Sequence, residues 1–313
     1  MIEIDALTKS YGSKLAVDEL TFRVRPGRVT GFLGPNGAGK STTMRQILGL
    51  DAPTRGRATV QGKLYRELEV PLSKVGSLLD ADAAHKGRSA FNHLLYLAKS
   101  NRLPRRRVTE VLEMVGLDGV AGSRVGSFSL GMRQRLGIAA AMIGDPEVLI
   151  LDEPMNGLDT QGIRWIRTLM KDVAAEGRTV FVSSHLMAEM ELVADHLIVI
   201  RRGRLIADSS MHQFIKANSE GFTFVRSPNS DMLRSALEAK GGRVQFDPEG
   251  GWRVSGLDAA AIGDAAAEEG ITLHELTPRN STLEEVYTRM TQTSVDYLGL
   301  ESAEPAPLLT GKR

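Results

Sequence analysis

Arg28-Val29-Thr30-Gly31-Phe32-Leu33 runs directly into Gly34-Pro35-Asn36-Gly37-Ala38-Gly39-Lys40-Ser41, and this junction decides the fold. The first run reads as a buried strand, the second matches G-x-x-x-x-G-K-[ST], and Lys40 to Leu50 reads as a helix. Strand, phosphate loop and helix in that order form a Walker A unit. Its glycines let successive backbone N–H groups point at phosphate oxygens, which side chains would block. Lys40 places a positive charge near the β- and γ-phosphates, and the Ser41 hydroxyl is a ligand for Mg²⁺. The N–H groups opening the helix add a field that favours anions.

Two further apolar runs end in polar groups. Val148 to Leu151 ends in Asp152-Glu153, and Thr179 to Val182 ends in Ser183-Ser184-His185. Open parallel sheets bind ligands beyond the carboxyl ends of their strands, so these three ends are expected to converge on one site. Two adjacent acids closing an apolar strand are costly unless a cation or hydrogen bonds await them. Asp152 is therefore read as the metal-side carboxylate, Glu153 as the group that polarises the attacking water, and His185 as a γ-phosphate contact.

Composition narrows the alternatives. The chain has 313 residues, 42% of them hydrophobic and 25% charged, which speaks against a disordered, collagenous or coiled-coil chain. It contains no cysteine, so disulfide frameworks, Cys-ligated zinc, iron–sulfur clusters and thiol catalysis are excluded. A formal net charge of +1 provides no global field for nucleic acid or anionic lipid, and no nucleic-acid partner is expected. Arg105-Arg106-Arg107 reads as a solvated face. The longest apolar stretch, Leu136 to Ile143, is interrupted by Gly137 and falls far short of the roughly 20 residues that cross a bilayer. The acidic start, Met1-Ile2-Glu3-Ile4-Asp5, is unlike a signal peptide, so a cytoplasmic location is expected.

Along the chain, Ile2 to Leu7 and Leu20 to Val24 suggest an antiparallel start closed by Pro26-Gly27. Residues 85–145 read as an inserted helical subdomain, with Leu94, Leu97, Val108, Val111, Leu112 and Val115 at helical spacing. Strands Leu197 to Ile200 and Arg204 to Ala207 precede a boundary near 215. Residues 216–295 then read as strand Phe222 to Arg226, helix Asp231 to Ala239, strands Val244 to Phe246 and Trp252 to Val254, helix Leu257 to Glu268, and strand Ile271 to Leu276. That β-α-β-β-α-β order is ferredoxin-like. Ser281 to Glu284 reads as a capping box opening a last helix through Met290, and residues 296–313 as a flexible tail.

With Walker A, then Ser129-Leu130-Gly131-Met132-Arg133-Gln134, Asp152-Glu153, Asn156-Gly157-Leu158-Asp159 and His185, residues 1–215 resemble the nucleotide-binding subunit of an ATP-binding cassette (ABC) transporter. The resemblance implies an α/β fold: a P-loop NTPase core with antiparallel β and helical subdomains, followed here by the small α+β domain. It implies ATP and Mg²⁺ as ligands, with Gly34 to Ser41 and Thr42 around the phosphates and Tyr11 stacked on adenine. Ser129 and Gly131 correspond to the signature motif, usually L-S-G-G-Q, which faces ATP held by a second copy of the subunit; Asp159 closes the D-loop across that interface. Phe128-Ser129-Leu130-Gly131-Met132 keeps the serine and the second glycine and departs at three positions. Where the family has its Q-loop glutamine, Val75-Gly76-Ser77-Leu78-Leu79-Asp80 ends in an acid, which makes Asp80 a further metal-side candidate and Asp82 the neighbouring alternative. Acids there, and a C-terminal extension, resemble bacterial exporters of the bacitracin- and daunorubicin-resistance type. The implied activity is ATP hydrolysis driving export through a separate membrane permease, with the subunit peripheral on the inner face of the membrane. The rival is a soluble ABC ATPase acting on a cytosolic partner; tandem cassettes or long coiled-coil insertions would favour it, and the chain shows one Walker A and no sustained heptads.

Overall fold

The chain opens with a hairpin, β1 (Ile2–Tyr11) and β2 (Lys14–Val24), which extends beyond the run ending at Leu7. Alternation fails there because the ladder is irregular: its register shifts between Ile4 and Leu7 and again before Lys9, with Ala6 and Glu19 at φ of 45° and 48°. A bulge turns the following side chains to the opposite face, so a period-two reading stops at it. The added length carries Tyr11 to the hairpin's tip. The computed structural model describes residues 1–218, 221–279 and 281–292; the tail expected over 296–313 lies outside them.

After β3 (Arg28–Leu33), α1 (Lys40–Ile47) ends three residues before the expected Leu50. Gly49, at φ 65°, donates to the Gln46 carbonyl at 3.1 Å, and Leu50 donates to the Arg45 carbonyl at 2.9 Å. Those two bonds are a Schellman stop. Strand β4 (Arg55–Val60), in which only Ala58 and Val60 are buried and which the apolar pattern did not disclose, joins the hairpin in a sheet of order β2-β1-β4.

A short α2 (Pro71–Lys74) leads into β5 (Val75–Leu78), and the helical stretch follows as α3 (Ala90–Ser100), α4 (Arg106–Met114) and α5 (Leu130–Met142). Then come β6 (Val148–Asp152), α6 (Thr160–Ala175), β7 (Thr179–Ser183), α7 (Met187–Val193), β8 (His196–Arg201), β9 (Arg204–Ser210) and α8 (Met211–Asn218). The main sheet has the order β5-β6-β7-β3-β8-β9, parallel except for its last pair. Val148 to Leu151 are all 0% exposed, the mark of a strand covered on both faces and the reason its sequence is a continuous apolar run. Phe22, Phe32 and Phe181 join the two sheets, with ring centroids 5.0 to 6.0 Å apart.

Glycines fix how closely α5 approaches β5. A Cβ on Gly137 would stand 2.5 Å from Leu78 Cδ1, and one on Gly76 would run into the carbonyl oxygen of Ala141.

The chain divides into two units after Phe214. The second contains β10 (Phe222–Arg226), α9 (Ser230–Ala239), β11 (Arg243–Asp247), β12 (Gly251–Ser255), α10 (Ala259–Glu268), β13 (Glu275–Arg279) and α11 (Leu283–Gln292). Its sheet, β11-β12-β10-β13, is antiparallel throughout, the ferredoxin-like arrangement. Two local expectations are corrected. The last strand starts at Glu275 because Ile271 is drawn into the core beside α10, its N–H donating to the Ala266 carbonyl, and pairing resumes only beyond His274. The capping box lies one residue on: Thr282 N–H donates to Glu285 Oε2 at 3.0 Å and Glu285 N–H to Thr282 Oγ1 at 3.2 Å.

Gly76→Ala should lower stability by about 1–3 kcal/mol, the cost of overpacking a closed contact. Gly119→Ala, where a Cβ meets nothing within 4 Å, should be close to neutral. Urea unfolding of the two variants against the parent checks this contrast.

Candidate active site

Parallel pairing of β6 with β7 and of β7 with β3 sets Asp152 beside Ser183 and Ser183 beside Phe32. The phosphate loop leaves β3 one residue later. The loop, Tyr11, Ser41, Thr42, Asp152 and Glu153 line a cleft of about 360 Å³. Gly37 and Gly39 have φ of 79° and 106°, and a Cβ on Gly39 would stand 2.5 Å from the Ala16 carbonyl oxygen, so the loop needs glycine there for both shape and room. Gly34 sits equally close beneath Ile200.

Lys40 is 7% exposed, and its Nζ donates to the carbonyls of Gly34 at 2.6 Å and Pro35 at 3.4 Å. Burial pushes its ammonium below the ordinary lysine range, and the nearby Glu153 and Asp152 carboxylates pull the other way. The lysine is thus a buried cation held by weak carbonyl partners, for which phosphate oxygens are stronger acceptors.

The two acids are fixed through Ser183. Its hydroxyl donates to Asp152 Oδ1 and accepts from the Glu153 N–H at 3.0 Å. Glu153 adopts φ 52°, a left-handed conformation that costs a non-glycine residue about 1–3 kcal/mol and persists only when its surroundings impose it. Its carboxylate accepts from the His185 N–H at 3.2 Å and meets His185 Nδ1 at 2.7 Å. Glu153 and the strand-end histidine therefore form a direct pair.

At the cleft's rim, Tyr11 is 49% exposed; its hydroxyl donates to Asp51 Oδ2 at 2.9 Å, and Lys9 Nζ lies 4.9 Å from the ring centroid. Arg45 holds the same Asp51 through Nε at 2.8 Å and Nη2 at 3.1 Å.

Ser129, Gly131 and Asp159 do not line this cleft. Ser129 caps α5, accepting from the Met132 N–H at 3.2 Å, and Asp159 caps α6, accepting from Gly162 at 2.7 Å. A Cβ on Gly131 would come within 2.8 Å of the Gly157 carbonyl oxygen, so the signature residues pack against 157–159 of their own chain. Asp80 stands apart as well. It is exposed, its carboxylate accepts from the Asp82 N–H at 2.8 Å, and Leu79 lines the cleft in its place. Asp82 pairs with Arg133 at 2.7 Å.

Known proteins bear on this arrangement. Residues 17–156 match the family model for ABC transporters, and 221–284 match that of a domain of unknown function. The bacitracin transport ATP-binding protein BcrA of Bacillus licheniformis is 41% identical over 72% of this chain and 74% of its own length. An uncharacterized ABC transporter ATP-binding protein of Bacillus subtilis, YhcH, is 33% identical over 93% and 96%. A solved ATP-binding subunit of an ABC transporter superposes with a TM-score of 0.64 at 27% identity, covering 69% of this chain and 92% of that one.

The chain belongs to the ATP-binding subunits of ABC transporters. It binds and hydrolyses ATP. Among the described residues, no helix is long and apolar enough to cross a membrane.

Several contributors to this ABC site were not singled out from sequence. Ser183 was visible only as a polar strand end, and Lys14, which lines the cleft, opens β2 just after the hairpin turn, ahead of the apolar run read from sequence. Gln134, 4% exposed on α5, donates from Nε2 to the Glu153 carbonyl at 3.2 Å. Between Arg133 and Arg135 it has no local signal that sets it apart from a solvated helix position.

Gln134→Leu removes that bond while keeping the side chain's bulk. A net hydrogen bond is worth about 0.5–1.5 kcal/mol, so kcat for ATP hydrolysis should fall by up to about tenfold. KM for ATP should stay nearly constant, because Gln134 does not line the nucleotide cleft. Steady-state kinetics on the purified subunit tests the split.

Proposed function

We propose that this chain is the motor subunit of an ABC exporter: two copies close head to tail on two ATP molecules and drive a separate membrane permease. The convergence of the phosphate loop, Tyr11, Asp152 and Glu153 on one cleft, with Ser129 and Gly131 turned away from it, is the observation that carries the reading. A signature that cannot reach its own nucleotide is suited to reach a partner's. Ser129 and Gly131 then bring a helix N-terminus to the partner's phosphates.

Ser41 Oγ and Asp152 suit Mg²⁺, which takes oxygen donors and characteristically one or two carboxylates together with substrate phosphates. When bound, the ion supplies positive charge to the β- and γ-phosphate oxygens. Lys40 neutralises the same oxygens from the loop side. Glu153 accepts a hydrogen bond from the attacking water and aligns it, and His185 holds that carboxylate by donating Nδ1–H to it. Tyr11, fixed by Asp51, gives adenine a flat apolar platform with little discrimination between bases.

Export through a permease is supported by names in the family: bacitracin transport, lantibiotic transport and Nod factor export belong to relatives between 35% and 41% identical. A drug-like or lipid-like cargo fits those names. Substrate choice would lie in the permease, and the subunit would sit on the cytoplasmic face of the membrane through it.

Glu153→Gln should cut turnover by about 10²- to 10⁴-fold, the range for a positioned acid–base group, while ATP binding persists. In that variant ATP should trap a dimer visible by size-exclusion with light scattering, and Lys40→Ala should weaken nucleotide binding instead. A fully active protein that stays monomeric with ATP would refute the head-to-tail reading.

Asp80→Asn separates two roles for its loop. With the carboxylate turned to its own backbone, basal ATPase activity and its Mg²⁺ requirement should change less than about twofold, as expected of a group outside the reacting shell. Permease-stimulated activity should fall if the loop touches the permease. A raised Mg²⁺ requirement would return Asp80 to the metal.

A further inference from the structure

A second cleft, of about 800 Å³, opens among β1, β2, β4 and the first residues of β3 and β8. Arg28 begins β3 and the phosphate loop follows Leu33, so by strand rise the two sites lie on the order of 15–20 Å apart. Arg23, Arg25, Arg28, Arg57 and His196 line this cleft, together with the acids Glu3, Asp5 and Asp208. The acids are engaged: Glu3 with Arg23 at 3.4 Å, Asp5 with Arg57 at 3.4 Å, and Asp208 with His196 Nε2 at 2.5 Å. Asp195, beside Arg28, accepts from the Val29 N–H. Among the described residues, Arg25 and Arg28 form no ion pair. Burial and the charge of Arg25 disfavour the Arg28 cation, and the nearby Asp208 and Asp195 carboxylates offset part of that.

Three buried polar atoms at this end of the sheet have no hydrogen-bond partner: Arg28 Nε and His196 Nδ1, whose side chains line the cleft, and Thr30 Oγ1, which is 0% exposed and lies behind that lining. Register places them together. Arg28 and Thr30 are two apart on β3 and share a face, Thr30 pairs with His196, and Asp208 pairs with Ile198, two residues beyond it. Buried polar groups are almost always satisfied, so three orphans on one patch of sheet point to a missing partner. Their chemistry is specific. Arg28 Nε–H can only donate, and in the tautomer that gives Nε2–H to Asp208 the His196 Nδ1 is an acceptor.

We propose that this cleft binds a small soluble phosphate ester bearing hydroxyl groups, with Arg25 and Arg28 on the phosphate and His196 on a hydroxyl. Planar guanidinium forks suit phosphate oxygens, and a cleft of this size is within the range of small-molecule sites. None of these residues belongs to the nucleotide cleft, so the ligand would act beside ATP and not in competition with it.

The test uses the full chain with the phosphate loop saturated by ADP and Mg²⁺, titrated calorimetrically with glucose 6-phosphate, glucose and inorganic phosphate. Glucose 6-phosphate should bind, glucose should not, and inorganic phosphate should bind more weakly. Arg25→Gln and Arg28→Lys should each weaken binding by about tenfold or more, since each removes a charge-assisted or forked contact. Arg25 is exposed, so its variant should fold and keep basal ATPase activity even if Arg28→Lys is unstable. Binding that is equal in both variants overturns the proposal, as does the absence of binding at millimolar glucose 6-phosphate. Sedimentation with phosphatidylglycerol vesicles without any soluble binding overturns it too. So does a high-resolution crystal structure, grown with glucose 6-phosphate, in which only waters bridge the three orphaned atoms.

Discussion

The Ser183 hydroxyl gives its proton to Asp152 and receives the N–H of Glu153, and the chemistry of the site depends on that pair of bonds. Asp152 closes β6 and Ser183 closes the neighbouring β7 in register, so one side chain ties Asp152 and Glu153 to the same strand end. Glu153 sits at φ 52°, a conformation the backbone would leave if its N–H and carbonyl were released. The N–H is held by Ser183 and the carbonyl by Gln134 and the N–H of Asn156. This left-handed residue breaks the strand direction immediately after Asp152.

Much of this was legible because local pattern and tertiary role coincide. The strand before Gly34 is apolar because both its faces are buried, the loop is glycine-rich because phosphates need backbone, and Asp152 follows a wholly apolar strand because that strand is central. Readings failed where a contact distant in sequence overrode the local pattern. Ile271 looks like a strand residue and is instead packed beside α10, and β1 seems to end at Leu7 only because its bulges break alternation. Gln134 acts on a residue 19 positions away, a partnership no local period encodes. Asp80 aligns with a family motif, yet its short side chain is captured by the backbone two residues on, the usual behaviour of aspartate at a turn.

The second unit packs its two sheet faces by different physics. Helices α9 and α10 cover one face through Leu233, Leu237, Ile262 and Ala265. Elsewhere in the unit, cations stack on aromatic rings, Arg253 over Phe222 at 4.3 Å and Arg279 over Phe224 at 4.1 Å, and Arg253 is also bonded to Asp247 and Glu285. Glu285 lies on α11, so that helix is joined to the sheet by an ion pair as well as by buried Leu283 and Val286. A single apolar core and a satisfied ionic layer are the parts a small α+β unit needs to be stable by its own contacts.

In the proposed head-to-tail pair, helix α5 would be the mechanical link between the two sites. Its first turn rests on Gly157: a Cβ on Gly131 would meet the Gly157 carbonyl oxygen, and one on Gly157 would meet the Leu130 side chain. One turn on, Gln134 holds the Glu153 carbonyl, and Arg135 lies 4.0 Å from Asp159 while stacking on Trp165. The segment from Glu153 to Asp159 is thereby clamped along its length by a single helix. In a head-to-tail pair, that helix would face one nucleotide while the clamped glutamate serves the other. A displacement of α5 by phosphate at the first site would then alter the hold on Glu153 at the second, and the shortest path for that effect is the Gln134 bond.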